Sequence, residues 1–394
     1  MPATDPHHTP RREPLPLDAR VLLTGATGFL GSHLLFELLE RSSASVTCLV
    51  RGNGAAGARR NLLSRLGYYF PETDWARHER RLTVLPGNVE ERRLGLDERS
   101  YEELAASHTL VLNAAANVSQ SGSPSTFFRA NTDAVAVLLD FARQGAPKQF
   151  HQVSTIDVRG HFTAPTTLPS FAERHLEEGQ SFDGAYAESK YKAEVLVRQA
   201  FAAGVTGSVY RVGYVAPHDQ TGRFQQNIHQ NYVARYVRGC ICLGFAPYAP
   251  TRSLRPSPVD SVARAITTLL AAGARNQTYY VQTPHEVSQY DVIRVLQAVG
   301  YPIRLMSMDD FREKAPRLSR DEESFLAMMP GHGEHGRVLP TDSVASQREL
   351  GRLGFEYPRP SSRWLARFVA HAIEVGFVEA PRFWNSAALV PDLL

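Results

Sequence analysis

Lysine is nearly missing from this sequence. Only four of its 43 basic residues are lysines, at positions 148, 190, 192 and 314, so each of them invites a reason. Cysteine is as scarce: Cys48, Cys240 and Cys242 form no metal-site spacing. An odd count with no secretory signal implies reduced thiols in a cytoplasmic protein. No apolar run approaches the roughly 20 residues of a membrane-spanning helix, so no membrane partner is expected. The net charge of +3 gives no reason to expect nucleic acid either. The most local absence is of acid. Between Arg41 and Pro71 there is no Asp or Glu at all.

What is present suffices for a sizeable core. At 394 residues and 43% apolar, the chain can hold one large domain and a smaller one. Residues 1–18 carry five prolines, two histidines and no apolar core, and read as a disordered tail or linker. The stretch Leu17 to Arg41 organises the rest. Arg20 to Leu23 has the composition of a short buried strand. Gly25, Gly28 and Gly31 follow, and then Leu34, Leu35, Leu38 and Leu39 recur at helical spacing. Strand, glycine turn and amphipathic helix form the first half of a dinucleotide-binding β-α-β unit. Its glycines let the backbone approach a pyrophosphate at the positive end of the helix.

Further strands are predicted at Val46–Val50, Leu82–Leu85, Thr109–Leu112, Gln149–Ser154, Ser208–Val212 and Tyr279–Gln282. A helix is expected over Pro124–Gln144 and another from Pro258 to Ala272. In an NAD-binding unit an acid near the end of the second strand would hold the ribose 2′-hydroxyl. Here Arg51, Arg59, Arg60 and Arg65 fill the acid-free space. Guanidinium forks suit a 2′-phosphate, which a carboxylate would repel, so NADPH is the expected cofactor. Asn88, after the third strand, can offer an amide oxygen to an adenine amine. Asn113-Ala114-Ala115-Ala116-Asn117 places small residues where a ribose or nicotinamide lies close to the backbone.

Tyr186 and Lys190 lie one helical turn apart and therefore on one face. A phenol is a poor acid-base group near pH 7 unless its anion is stabilised, and a neighbouring ammonium can do that. Lys190 is placed for this task and for holding the ribose hydroxyls. Tyr186 is then the proton donor, and Thr155 hydrogen-bonds and orients the substrate oxygen. The fold class expected is α/β: a Rossmann-type doubly wound parallel sheet over residues 19–282. A smaller, mainly helical substrate subdomain is expected over 283–394. Its Arg304, Arg312, Lys314, Arg317 and Arg320 would suit an acidic partner. The loop Pro330–Gly336, with two histidines and Glu334, is too glycine-rich for a preformed metal cage, and no metal is expected.

These motifs occur in a fixed order: T-G-A-T-G-F-L-G at 24–31, L-V-R ending at Arg51, N-A-A-A-N at 113–117, V-S-T at 153–155, Y-x-x-S-K at 186–190, T-G at 221–222 and P-V-D at 258–260. Together they resemble the thioester reductase domains that end nonribosomal peptide synthetases and carboxylic acid reductases, within the extended short-chain dehydrogenase/reductase superfamily. The resemblance implies NADPH-dependent release of an acyl thioester from a phosphopantetheinylated carrier protein, as an aldehyde or further as an alcohol. It also implies cofactor contacts at Thr24, Gly25, Thr27, Gly28, Phe29, Leu30, Gly31, Arg51, Arg60, Asn88, Val89, Asn113, Ala114, Ala115, Asn131, Lys190, Val212 and Val215. A small-molecule carbonyl reductase or a nucleotide-sugar epimerase or dehydratase would share the scaffold. The latter would prefer an acid after the second strand. A non-catalytic nucleotide sensor would lose Tyr186 or Lys190.

Overall fold

The computed structural model describes residues 19–382, apart from 120–121, 250–252, 274 and 319–335. Seven parallel strands form the central sheet: β1 (Arg20–Thr24), β2 (Ser45–Val50), β3 (Leu82–Pro86), β4 (Leu110–Asn113), β5 (Gln149–Thr155), β6 (Thr206–Val212) and β7 (Gln277–Val281). Their spatial order is 3-2-1-4-5-6-7, the doubly wound arrangement with one strand added beyond the sixth. The last strand starts and ends slightly before the span expected from its tyrosines. Four of the five β1 residues are buried, because helices cover both faces of a parallel sheet and leave no wet side. Val21 lies opposite Val46 on one side and Leu110 on the other, which sets the register at the centre.

Helices α1 (Phe29–Arg41), α2 (Gly54–Tyr69) and α8 (Val259–Ala271) cover one face, where Leu34, Leu38, Leu62, Leu66 and Ile266 pack with Val21 and Leu23. Helices α3 (Glu98–Ser107), α5 (Ala134–Arg143) and α6 (Ala185–Ala202) cover the other, where Leu104, Leu138 and Val197 meet Leu22, Val111 and Phe150. The single helix expected over Pro124–Gln144 is instead interrupted. A short α4 (Pro124–Phe128) runs through a π-turn at Arg129–Asp133 into α5. Within that turn Asn131 donates to the Asn117 carbonyl and to Ser189 Oγ, and accepts from the Asn117 amide at 2.7 Å. The widened turn thus coincides with a buried clamp joining two loops and α6.

A second core gathers Phe224, Tyr236, Val237, Ile293, Leu296, Phe311, Trp364 and Phe368. It is not confined to residues after 283, since α7 (Tyr232–Leu243) and the loop before it supply a share alongside α9 (Gln289–Val299), α10 (Met308–Leu318) and α12 (Ser362–Glu374). By contrast α11 (Val344–Arg352) returns to the sheet: Leu350 joins the main core and Ser346 Oγ accepts from the Tyr280 amide at 2.8 Å. Phe29 joins the two cores, with its ring 5.3 Å from that of Phe224. Among the described residues no helix is long and apolar enough to cross a membrane, and no group of three metal-ligating side chains occurs. The tail at 1–18 and the loop residues 330–335 lie outside the described residues.

Candidate active site

The glycine turn is shaped by close approach. Gly25 has φ +75°, and a Cβ there would stand 2.5 Å from the Ala114 carbonyl. A Cβ on Gly31 would collide with the Gly25 carbonyl oxygen. Helix α1 then starts with Gly28 as its cap, with no side-chain capping bond to its first amides and no acid in its first turn. Its first amides keep the positive end of the helix dipole open, the setting in which a pyrophosphate binds. A cleft of about 570 Å³ opens there, lined by Gly25, Thr27, Gly28, Arg51, Asn88, Val89, Ala114 and Ala115, among others. Its size is right for an extended organic ligand. The uncapped helix end and the glycine approach fit a dinucleotide.

Other expected contacts serve the cleft from behind. Thr24 Oγ1 donates to Asn113 Oδ1 at 2.5 Å, and Asn113 Nδ2 to Gln152 Oε1 at 2.9 Å, a buried chain across the ends of three strands. Asn131 is spent on the clamp described above. Phe29 and Leu30 pack against core residues. Val212 is buried beside Thr155 in the β5–β6 register, and Val215 pairs with Ser257. The Asn88 amide is engaged locally: Oδ1 accepts from the Glu90 amide at 3.1 Å and Nδ2 donates to Glu91 Oε1 at 2.9 Å. The arginines also separate. Arg59 bonds Glu79 at 3.1 Å, whereas the exposed side chains of Arg51 and Arg60 have no hydrogen-bond or ion-pair partner among the described residues. Of these two, Arg51 lines the cleft.

The catalytic candidates meet where β5 ends and α6 begins. Lys190 is buried, and its Nζ donates to the Val153 carbonyl at 2.7 Å, which ties α6 to β5. Glu194, one turn further, forms a fully buried pair with Arg211 of β6 at 2.9 Å. Burial lowers the Lys190 pKa to about 8, against the opposing pull of Glu194. The Tyr186 phenol is pushed above its ordinary value, first by burial and then by the Asp157 carboxylate, while a contact with the Thr155 hydroxyl works the other way. The charge acting on the phenol is therefore Asp157's more than the ammonium expected from the sequence.

Asp157 was not among the residues singled out, although an acid two positions after a strand-end threonine is a signal for a local side-chain bond. Tyr214, next to Val215, feels the same carboxylate. Thr126, Arg129, Asn227 and Gln230 also line the cleft, and Arg129 bonds Glu90 at 2.9 Å at its edge. The Thr221-Gly222 turn abuts α12, since Gly222 has φ +68° and any Cβ would strike the Arg367 carbonyl. The basic residues expected to receive a partner are largely neutralised: Arg312 pairs with Asp309 and Lys314 with Asp310, while Arg304 stays exposed. Arg320 and the Arg317 side chain lie outside the described residues.

A doubly wound sheet with this glycine turn and a Tyr-Lys helix defines an NAD(P)-binding oxidoreductase of the extended short-chain type. The chain belongs to the NAD-binding family described as male sterility protein, whose model matches residues 23–266. Within that setting it is similar to the terminal reductase domains of nonribosomal peptide synthetases. It is 28% identical to the crystal structure of the terminal R domain from the myxalamid PKS-NRPS biosynthetic pathway, with a TM-score of 0.82, covering 94% of this chain and 93% of that one. An isonitrile lipopeptide synthase of Streptomyces coeruleorubidus is 33% identical over 380 residues, 92% of this chain and 25% of the synthase. The nonribosomal peptide synthetase asaC of Aspergillus flavus is 29% identical over 328 residues, 80% of this chain and 31% of the synthetase. The chain spans under a third of the length of these curated relatives.

Proposed function

We propose that this chain uses NADPH to reduce an acyl or peptidyl thioester held on a carrier protein's phosphopantetheine arm, releasing it as an aldehyde. The observation that carries the reading is the Tyr186 phenol at the start of α6, in contact with Thr155 at the end of β5, together with a separate glycine-turn cleft lined by Arg51, whose side chain has no partner among the described residues. The phenol carries its proton at neutral pH, the state from which it can donate to a substrate oxygen. The bound nicotinamide supplies a hydride to the carbonyl carbon. Tyr186 gives its proton to the carbonyl oxygen, Thr155 orients that exchange, and Lys190 holds the ribose and the helix. Collapse of the resulting hemithioacetal breaks the C–S bond and frees the thiol of the arm.

The likeness to synthetase reductase domains supports a carrier-bound substrate, and the second core is the proposed carrier-facing and acyl-binding unit. The test is to incubate the protein with NADPH or NADH and a panel of acyl-pantetheine thioesters, and to identify products by mass. An aldehyde appearing with free thiol, and with NADPH preferred, is expected. Turnover of free aldehydes or nucleotide sugars without any thioester turnover would replace this reading.

A further inference from the structure

Thr155 has one hydroxyl proton, and the structure shows where it goes. Its Oγ1 donates to Asp157 Oδ2 at 3.2 Å and accepts from the Asp157 amide at 3.2 Å. These two bonds fix the hydroxyl in a tight side-chain turn at the start of the 3₁₀ segment Ile156–Arg159. With its proton committed to the carboxylate, the Thr155 oxygen presents lone pairs to the rest of the site. We propose that Asp157 is a positioning residue of the reduction: by holding the Thr155 proton, it turns the Thr155 lone pairs to the Tyr186 phenol and leaves that phenol as the hydroxyl able to pass a proton to the substrate oxygen.

The inference rests on the proposed carbonyl reduction at Tyr186. The surroundings support it. Asp157 is half-buried, and desolvation raises its pKa, with Arg159 and the Thr155 bond opposing. Its negative charge in turn disfavours the Tyr186 anion. The Thr155 hydroxyl is held by Asp157 as an ionised acceptor. As pH falls through its raised pKa the carboxyl gains a proton and its hold on the Thr155 hydroxyl is lost. The other ionisable groups that act on the pair are Arg159 on the same turn, Tyr186 on α6, and Tyr214 after β6. Between about pH 4 and 7 both phenols stay neutral, since burial raises their pKa. An acid limb in the rate profile then belongs to Asp157.

The experiment compares wild type, Asp157→Asn, Thr155→Val and the double variant, with NADPH and octanoyl-pantetheine or octanal as probes from pH 5 to 8. Melting temperature and NADPH affinity are followed alongside. Asp157→Asn should lower turnover on the order of 10-fold, as expected for coupled residues in contact. The acid limb should vanish in that variant while NADPH affinity holds. In the Thr155→Val background the same change should alter turnover less than about 2-fold, because the carboxylate acts through that hydroxyl. Asp157→Glu, which restores the charge, should recover the acid limb. Effects that multiply across the double variant, or an unchanged acid limb in Asp157→Asn, overturn the proposal. Failure of both Asp157→Asn and Asp157→Glu to fold would assign the carboxylate to the turn alone and overturn it equally. If Tyr186→Phe keeps full turnover, the catalytic reading itself has failed. If Tyr186→Phe is inactive and the effects multiply, only this inference has.

Discussion

The Lys190 ammonium donates to the Val153 carbonyl at 2.7 Å, so the helix that carries Tyr186 is fastened to the strand that carries Thr155. Two residues 37 positions apart in sequence thereby hold a hydroxyl and a phenol in one place. The same bond gives Lys190 a structural duty besides any role toward a cofactor.

That double duty separates two substitutions. Tyr186→Phe should keep the fold and NADPH affinity while lowering turnover about 100-fold, the range for a lost general acid. Lys190→Ala should lose turnover, cofactor affinity and thermal stability together. The Lys190 pKa of about 8 adds a pH dependence. The charged form is the one that can hold ribose hydroxyls, so NADPH affinity should be full below pH 8 and decline as pH rises through it. Titration calorimetry across pH 6.5 to 9.5 reads this, and Lys190→Met should give a flat profile.

Arg51 should decide between the two nicotinamide cofactors. Arg51→Ala is expected to weaken NADPH binding by about 1.5–3 kcal/mol, the worth of a charge-assisted contact, with little change for NADH. Arg59→Ala should do much less, since Arg59 already bonds Glu79. Fluorescence titration of both cofactors measures the difference. Equal affinity of the wild type for the two would refute the 2′-phosphate reading.

The pair of Arg211 and Glu194 carries no exposed surface, and Arg211 also donates to the His175 carbonyl at 2.7 Å. Removing one partner leaves an uncompensated charge inside the protein, so Glu194→Ala should destabilise by about 3–5 kcal/mol. Chemical denaturation would show it. Because Glu194 lies one turn from Lys190, the same variant should also lower the Lys190 pKa further.

A carrier-bound substrate should outperform its truncated form. Remote contacts supply binding energy that positions the thioester carbonyl, so kcat/KM for acyl-carrier protein should exceed that for the same acyl group on pantetheine. Among the described side chains of α10, Arg312 and Lys314 are paired with neighbouring acids. Added salt should therefore erode the advantage only modestly. Steady-state kinetics at low and high salt test this, and equal efficiency of the truncated thioester would favour a small-molecule reductase.

The sheet and the nucleotide turn were readable from the chain because their causes are local. Buried parallel strands show as apolar runs, and a glycine turn needs glycines in fixed positions whatever surrounds it. The acid-free stretch after β2 was readable for the same reason, since the absence of a residue type is a property of the chain alone. The division of labour within the site was not local. Whether Arg51 or Arg59 faces the cleft depends on where Glu79 folds back, 20 residues beyond Arg59. Asn131 looked like a cofactor contact and is instead spent on Asn117 and Ser189, which only packing brings together. The second core draws on both sides of β7, so no composition break along the chain marks it. Motif spacing singled out Tyr186, Thr155 and Lys190 as candidates, but spacing cannot tell which charge a half-buried phenol feels. That was decided by the turn that sets Asp157 against Thr155, because Coulomb interactions follow distance in space and not along the chain.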